Sequence, residues 1–313
     1  MKTSNSFLTL GETMVELAPV EGSLYKRGFA GDTLNTAWYL RACLPGDWTV
    51  GYVTALGDDP LSSEMTAFIQ DHGIDTTSIR YVSGKACGLY LIALQEGERS
   101  FSYWRDSSAA RQLVDDPDWL KAAIKKADNL FLSGISIAIL SPQDRGTLMG
   151  ILQDFLSQGG EISFDPNFRP KLWENKKTSR EWLEKFAGLS TTVLPSFDDE
   201  RDLFGDASPA DTCIRYRDLG IREVVVKNSS QPVTYCRSDN IHVMPISDVA
   251  RPKDSTGAGD SFNGAYLASV ALGHSQEQAI KNAISLSAQV INTEGALMPM
   301  SEVRTSSWSG SLV

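Results

Sequence analysis

Residues 129–165 read NLFLSGISIAILSPQDRGTLMGILQDFLSQGGEISFD. Two short apolar runs, NLFLSGI and EISFD, have the character of buried strands. Between them Leu148, Ile151, Leu152, Phe155 and Leu156 fall at i, i+3, i+4, i+7 and i+8, which is one face of a helix. Ser141 suits the N-cap of that helix, Pro142 its first turn and Gly159 its end. The alternation continues in TTVLPS (191–196) and EVVVKN (223–228). Strand and helix in turn predict right-handed βαβ units and a mainly parallel sheet. Ligands of such sheets sit beyond the carboxyl ends of the strands, so the chemistry is expected there.

The first hundred residues follow another pattern. GLYLIAL and RSFSYWR flank the short turn QEGE, which contains Gly97, and the whole predicts a β-hairpin. Alternation puts Phe101, Tyr103 and Arg105 on one face. Either this is an edge hairpin with a snorkelling arginine, or it covers a ligand and its arginine reads an anion.

Composition narrows the function. With 313 residues, 42% hydrophobic and 22% charged, the chain has the make-up of a soluble globular protein. A net charge of −10 argues against nucleic acid or an anionic membrane as partner, while leaving room for a small anion held by a few arginines. No apolar run reaches the ~20 residues of a membrane span, and MKTSNSFLTLGE lacks the apolar core of a signal peptide. Cys43, Cys87, Cys213 and Cys236 show no metal or disulfide spacing, which fits a cytoplasmic location. His72 and His274 each adjoin a glycine, where turn chemistry accounts for them, and a histidine-based centre is not expected. The polar, aperiodic end, residues 301–313, is expected to be a loose tail.

The sharpest motif is Asp254-Ser255-Thr256-Gly257-Ala258-Gly259-Asp260, followed by SFNGAYLASVALG. The following segment predicts a helix closed by Gly273. Small residues at 257–259 let consecutive amides approach a ligand, and a helix start makes them an anion hole. Asp260, in the first turn, can take the proton of an attacking hydroxyl, a contribution of roughly 10²–10⁴-fold. The plainer alternative is a glycine-rich loop with a helix-favouring acid. G-x-x-x-x-G-K-[ST], H-R-D and G-x-G-x-x-G after a strand are all missing, which excludes P-loop enzymes, protein kinases and obvious dehydrogenases.

DSTGAGDSFNGAY closely resembles the C-terminal signature of the ribokinase-like (PfkB) carbohydrate kinases, and RGFAGDTLNTAWYL resembles their N-terminal one. The likeness runs from GETMVEL to INTEGAL. Within that family GLYLI, GERSFSYWRDSSAAR, SGISIAILSP and FDPNFRPKLW look like the 2-keto-3-deoxygluconate kinases.

The resemblance implies a three-layer αβα sandwich with a mainly parallel sheet, in one kinase domain over residues 1–300. A small β lid would be formed from parts of 12–30 and 86–105. It implies ATP-dependent phosphorylation of the 6-hydroxyl of 2-keto-3-deoxygluconate, with Asp260 as base and Gly257, Ala258 and Gly259 as anion hole. Gly31, Asp32 and Asn35 would bind the sugar, while Tyr90, Tyr103, Arg105 and Arg169 would frame its acid end and lid side. Ser196, Lys227, Ser229, Asp254 and Thr256 would lie along ATP, with Asn282 near the adenine. Asp199 would act on Mg²⁺ indirectly, and a monovalent cation such as K⁺ is a further implied cofactor. Partners would be the sugar acid, ATP and a second copy of the chain through the lid, with no nucleic acid or membrane.

The residues carry part of this on their own. Asp32 and Asn35 suit vicinal hydroxyls, although Asp32 or Thr33 could simply cap the helix beginning LNTAWYL. Arg169 follows EISFD at its carboxyl end, where a ligand contact is expected. Lys227 ends EVVVK, where a lysine is usually solvated. Three positions depart from the family pattern: Ala30 replaces a glycine, Ser196-x-x-Asp199 replaces Asn-x-x-Glu, and Lys227-Asn228-Ser229-Ser230-Gln231 is poor in glycine. The alternatives are a ribokinase- or fructokinase-like enzyme for a neutral sugar and a catalytically silent sugar-acid sensor. Arg105 with Arg169 favours the acid, and the intact Asp260 motif disfavours the sensor.

Overall fold

The computed structural model describes residues 5–95, 98–237, 240–246 and 252–305. Its strands are β1 (Ser6–Leu10), β2 (Met14–Pro19), β3 (Tyr25–Ala30), β4 (Thr49–Gly57), β5 (Ile79–Val82), β6 (Gly88–Gln95) and β7 (Glu98–Trp104). They continue with β8 (Asn129–Ser133), β9 (Glu161–Asp165), β10 (Thr192–Val193), β11 (Glu223–Val226), β12 (Val233–Arg237) and β13 (Asn240–Met244). The first helices are α1 (Asp32–Cys43), α2 (Pro60–Asp71), α3 (Pro117–Ile124), α4 (Gly134–Ala138) and α5 (Pro142–Ser157). The rest are α6 (Lys176–Ala187), α7 (Phe197–Phe204), α8 (Pro209–Asp218), α9 (Ala258–Ala271) and α10 (Gln276–Val290).

Among the described residues, nine strands form one sheet in the order β13-β12-β11-β10-β9-β8-β1-β4-β5. From β5 to β11 every pairing is parallel, and only the β11–β12 and β12–β13 pairings are antiparallel. Strand alternation supplies two cores, one on each sheet face. Leu130, Leu132, Val224 and Val226 join the core under α3, α5 and α6, whereas Phe131 and Val225 join the one under α1, α9 and α10. That is why these strands read as unbroken apolar runs.

Helix α5 forms as its pattern predicts. Ser141 accepts from the Asp144 amide, Pro142 is its first residue, and Gly159 follows its end with φ +85°. Leu148, Ile151, Leu152 and Phe155 are buried, and Leu156 packs at the margin. Two strand expectations shorten. NLFLSGI is a strand only to Ser133, whose hydroxyl then caps α4. TTVLPS is regular strand only at Thr192 and Val193, with one further parallel bridge from Ser196 to Lys227.

A second sheet, β3-β2-β6-β7, has four strands and uses the segments expected of a lid. Tyr90 faces Tyr103 and Ile92 faces Phe101 across the β6–β7 pair. Gly97 in the connecting turn lies outside the described residues, as do residues 306–313 of the expected tail. The beginning of that tail is tied down: Gln289 exchanges two hydrogen bonds with the backbone of Arg304. No helix among the described residues is long and apolar enough to cross a membrane.

Candidate active site

The site lies beyond the carboxyl ends of β1, β8, β9, β10 and β11, where α9 begins. Gly257 is the N-cap of α9 with φ +76°, and it offers no side chain to the first amides. The Ala258 amide turns back to the Ser255 carbonyl at 3.2 Å, while the Gly259 and Asp260 amides have no acceptor within the helix, so this turn can receive an anion. The preceding loop is braced by Asp254, whose carboxylate accepts from the Thr256 amide at 2.9 Å and the Gly295 amide at 2.8 Å. Those two bonds make Asp254 a brace for the loop that leads into α9.

Asp260 is half-buried beside α1. Its Oδ2 accepts from Asn35 Nδ2 at 2.8 Å, which joins the two ends of the chain. Burial, with Asp32 and Asp165 nearby, pushes its carboxyl up to about 7, against the opposing effect of the Asn35 bond and Lys227. Asp32 is likewise raised, first by burial, and accepts from Asn167 Nδ2 at 2.8 Å. The N-cap position of α1 falls to Gly31 and not to Asp32 or Thr33, although Asp32 Oδ1 still accepts from the first-turn amide of Thr33 at 2.9 Å. The Gly31 amide instead meets Asn35 Oδ1 at 3.4 Å.

Lys227 is not solvated. Its Nζ donates to Asp165 Oδ2 at 2.6 Å and to Asn263 Oδ1 at 3.0 Å, and Asn263 also donates to Asp165. This buried knot ties the ends of β9 and β11 to α9. It lies against the α9 turn, since a Cβ on Gly259 would be 3.7 Å from Nζ. Beside it opens a cavity of about 450 Å³ lined by Ser196, Lys227, Ser229 and Gly259 together with the apolar side chains of Val233, Ile246, Phe262 and Ile284. Ser229 has φ +49° and its hydroxyl bonds Asp198 at 3.2 Å.

Asn282 is corrected. It is buried between helices, donating to Ser269 at 2.6 Å and accepting from Gln278. The cavity is lined from α10 by Ile284, Ser287, Ala288 and Ile291, the opposite side of that helix.

The aromatic and cationic residues sit on the other flank. Tyr90, Phe101 and Tyr103 form one ring cluster with centroids 5.9–6.3 Å apart. The Tyr90 hydroxyl donates to Glu16, and burial, Glu16, Tyr103 and Asp260 all raise its pKa. Arg105 departs from the expected strand face. It stands just beyond β7, is 7% exposed, and pairs with buried Glu12. Arg169 is 51% exposed and lies 3.4 Å from Asp199. Burial raises the Asp199 pKa, while Arg169 opposes the rise.

The profile of the pfkB family carbohydrate kinases matches residues 5–303. The chain belongs to this family. The 2-dehydro-3-deoxygluconokinase of Dickeya dadantii is 35% identical over 305 residues, covering 95% of this chain and 98% of that protein. The enzyme of the same name from Haemophilus influenzae is 36% identical over 298 residues, covering 92% and 94%. Among solved structures, an Escherichia coli chain assigned as a ribokinase II, in complex with ATP and Mg²⁺, superposes with a TM-score of 0.83 at 21% identity. It covers 97% of this chain and 98% of its own. This carbohydrate kinase therefore has the ribokinase-like fold anticipated from its motifs.

Within this pfkB chain the structure brings Asp32, Asn35 and Asp260 together and sets Lys227 beside the same turn. Four polar residues of the site were not singled out from the sequence: Glu12, Asp165, Asn167 and Asn263. Asp165 and Asn167 lie in the quoted FDPNFRP segment. Asn263 had its own signal, a carboxamide set in the run FNGAYLA of α9, whose other members before Tyr266 are apolar or small.

Proposed function

We propose that the chain transfers the γ-phosphoryl group of ATP to the 6-hydroxyl of 2-keto-3-deoxygluconate. The observation carrying this reading is Asp260. It is half-buried in the first turn of α9, beside Gly257, Ala258 and Gly259, and held by Asn35. The 6-hydroxyl would sit between Asp260 and the anion hole. Its proton passes to the carboxylate as its oxygen bonds phosphorus and the bond to ADP breaks. Asn35 fixes the accepting carboxylate, and the α9 amides receive the charge gathering on the phosphoryl oxygens. Asp32 and Gly31 supply contacts for the remaining hydroxyls. The 450 Å³ cavity offers an apolar wall for a base and polar groups, Ser196 and Ser229, near the phosphates.

Mg²⁺ fits this arrangement. Among the described residues no three acids, histidines or cysteines gather into a cage, and a phosphate-borne Mg²⁺ needs only one or two carboxylates and its own waters. Asp199, 22% exposed, would hold it through water. When bound, the ion offsets charge on the β- and γ-phosphate oxygens. The acid substrate is favoured by the two relatives named 2-dehydro-3-deoxygluconokinase, which match over nearly their full length.

The test is direct: ATP, Mg²⁺ and the sugar acid should yield ADP and the sugar acid 6-phosphate. Asp260→Asn should lose roughly 10²–10⁴-fold in kcat while still binding sugar. Turnover within tenfold of wild type would remove Asp260 from the role of base.

A further inference from the structure

Glu12 has no part in the chemistry above, yet it is only 2% exposed. It stands just beyond β1, where the chain leaves the large sheet for β2. One of its carboxylate oxygens pairs with Arg105, and the other accepts from the Ser108 hydroxyl at 2.5 Å. Arg105 and Ser108 lie just beyond β7, where the chain returns from the small sheet. A single carboxylate thus ties the way into the small sheet to the way out.

The surroundings leave it no slack. A Cβ on Gly88, the first residue of β6, would come within 2.9 Å of Glu12 Oε1. A Cβ on Gly31 would come within 2.4 Å of the Glu12 carbonyl oxygen. Glu12 is therefore packed against both the root of the small sheet and the turn that presents Asp32 and Asn35.

Arg105 keeps bonding capacity in reserve. Its Nε is buried and has no partner among the described residues, although buried polar groups are normally paired. Its guanidinium carbon lies 5.7 Å from the centre of the Tyr103 ring, which packs on Tyr90. Because Glu12 balances its charge, this arginine acts through the direction of its remaining N–H groups and not as a free cation.

We propose that Glu12 is a positioning residue that clasps the root of the small sheet and aims the remaining donors of Arg105 at the acid end of the sugar. The proposal rests on the sugar-acid reading above. A buried pair of this kind resists opening, because losing either partner strands the other charge.

Glu12→Gln tests it, being isosteric and still able to accept from Ser108. KM for the sugar acid should rise about ten- to a hundredfold, the scale of one charge-assisted hydrogen bond. KM for ATP should stay unchanged and kcat should move far less. In an Arg105→Ala background the same change should add nothing to KM, because the two residues act as one unit. Without ligand, amide exchange over 11–15 and 104–109 should quicken in Glu12→Gln. Ser108→Ala, the milder variant, should shift KM the same way by less, and it decides the matter if Glu12→Gln does not fold. A KM within twofold of wild type, or an equal effect with and without Arg105, overturns the proposal. A wild type silent toward the sugar acid refutes the substrate reading instead. In that case unchanged exchange at both segments overturns the clasp, and quickened exchange supports it.

Discussion

Gly257→Ala should cost far more turnover than stability. Gly257 has φ +76°, and an added Cβ would stand 2.6 Å from the Ala296 carbonyl oxygen and 3.0 Å from its Cα. Ordinary contacts of carbon lie near 3.5–4.0 Å, so the loop must give by roughly 1 Å. The left-handed backbone adds about 1–2 kcal/mol for a residue with a Cβ. At about 2–4 °C per kcal/mol for a chain of this order of size, Tm should fall by several degrees. The displaced amides are those assigned to the anion hole, and a misplacement of about 1 Å can cost ~10²-fold in rate. Steady-state kinetics and calorimetry should therefore show kcat down about a hundredfold, KM for sugar nearly unchanged, and a modest loss of Tm. Gly273→Ala is the control. It has φ +84° but nothing within 4 Å of the added Cβ, so it should lose only the backbone share of that stability and keep its kcat. If Gly257→Ala keeps kcat within threefold while Tm falls as expected, these amides do not hold the transferring phosphoryl group.

Three further outcomes follow from the charges of the site. With Asp260 raised to about 7, kcat/KM for sugar should be flat above that pH and fall tenfold per unit below it, because the base must be deprotonated. A carboxyl raised in the fold favours the folded state below its unfolded pKa and loses that contribution as pH rises through about 7. Asp260→Asn should accordingly raise Tm at pH 8 more than at pH 5, and an equal change at both would refute the buried-carboxylate assignment. Arg169→Ala should raise KM for the sugar acid about tenfold or more and leave a neutral ketose unaffected. Equal losses on both substrates would make Arg169 structural.

The parallel sheet was legible because each strand is buried on both faces and needs no alternation to be seen. The start of α9 was legible because only small residues tolerate Gly257's conformation and the approach of Ala296. Arg105 was misread for a definable reason. Alternation places side chains only while a strand lasts, and β7 ends at Trp104, so Arg105 turns inward to Glu12. Asn282 failed differently, since its helix was expected but the rotation of that helix against the cavity is set by packing on α9. Glu12 gave no signal, because an acid in GETMVEL looks like any solvated acid until its distant partners, Arg105 and Ser108, are folded onto it. Asp165 has the same character, since its meaning depends on Lys227, 62 positions away.

On the proposed sugar-acid reading a chain of net charge −10 binds two anions, and the pairing of its cations indicates how. Each cation described at the site already has a carboxylate: Lys227 has Asp165, Arg105 has Glu12 and Arg169 has Asp199. These pairs are not equivalent. The first two are buried, where removing one partner costs about 3–5 kcal/mol. The Arg169 pair is long, at 3.4 Å, and its arginine is half exposed. Pairs of that kind contribute about 0–1 kcal/mol. A substrate carboxylate can outbid Asp199 for Arg169 far more readily than it can separate Lys227 or Arg105 from their partners. On this reading the buried pairs fix the shape of the site, and the exposed pair is the one that exchanges. The exchange would have a second effect. Asp199, relieved of Arg169, regains a full unshared charge near the phosphates just as the sugar acid arrives. Neutral sugars would leave that pair closed, so acid selectivity would come from Arg169 and Asp199 together more than from the number of arginines present.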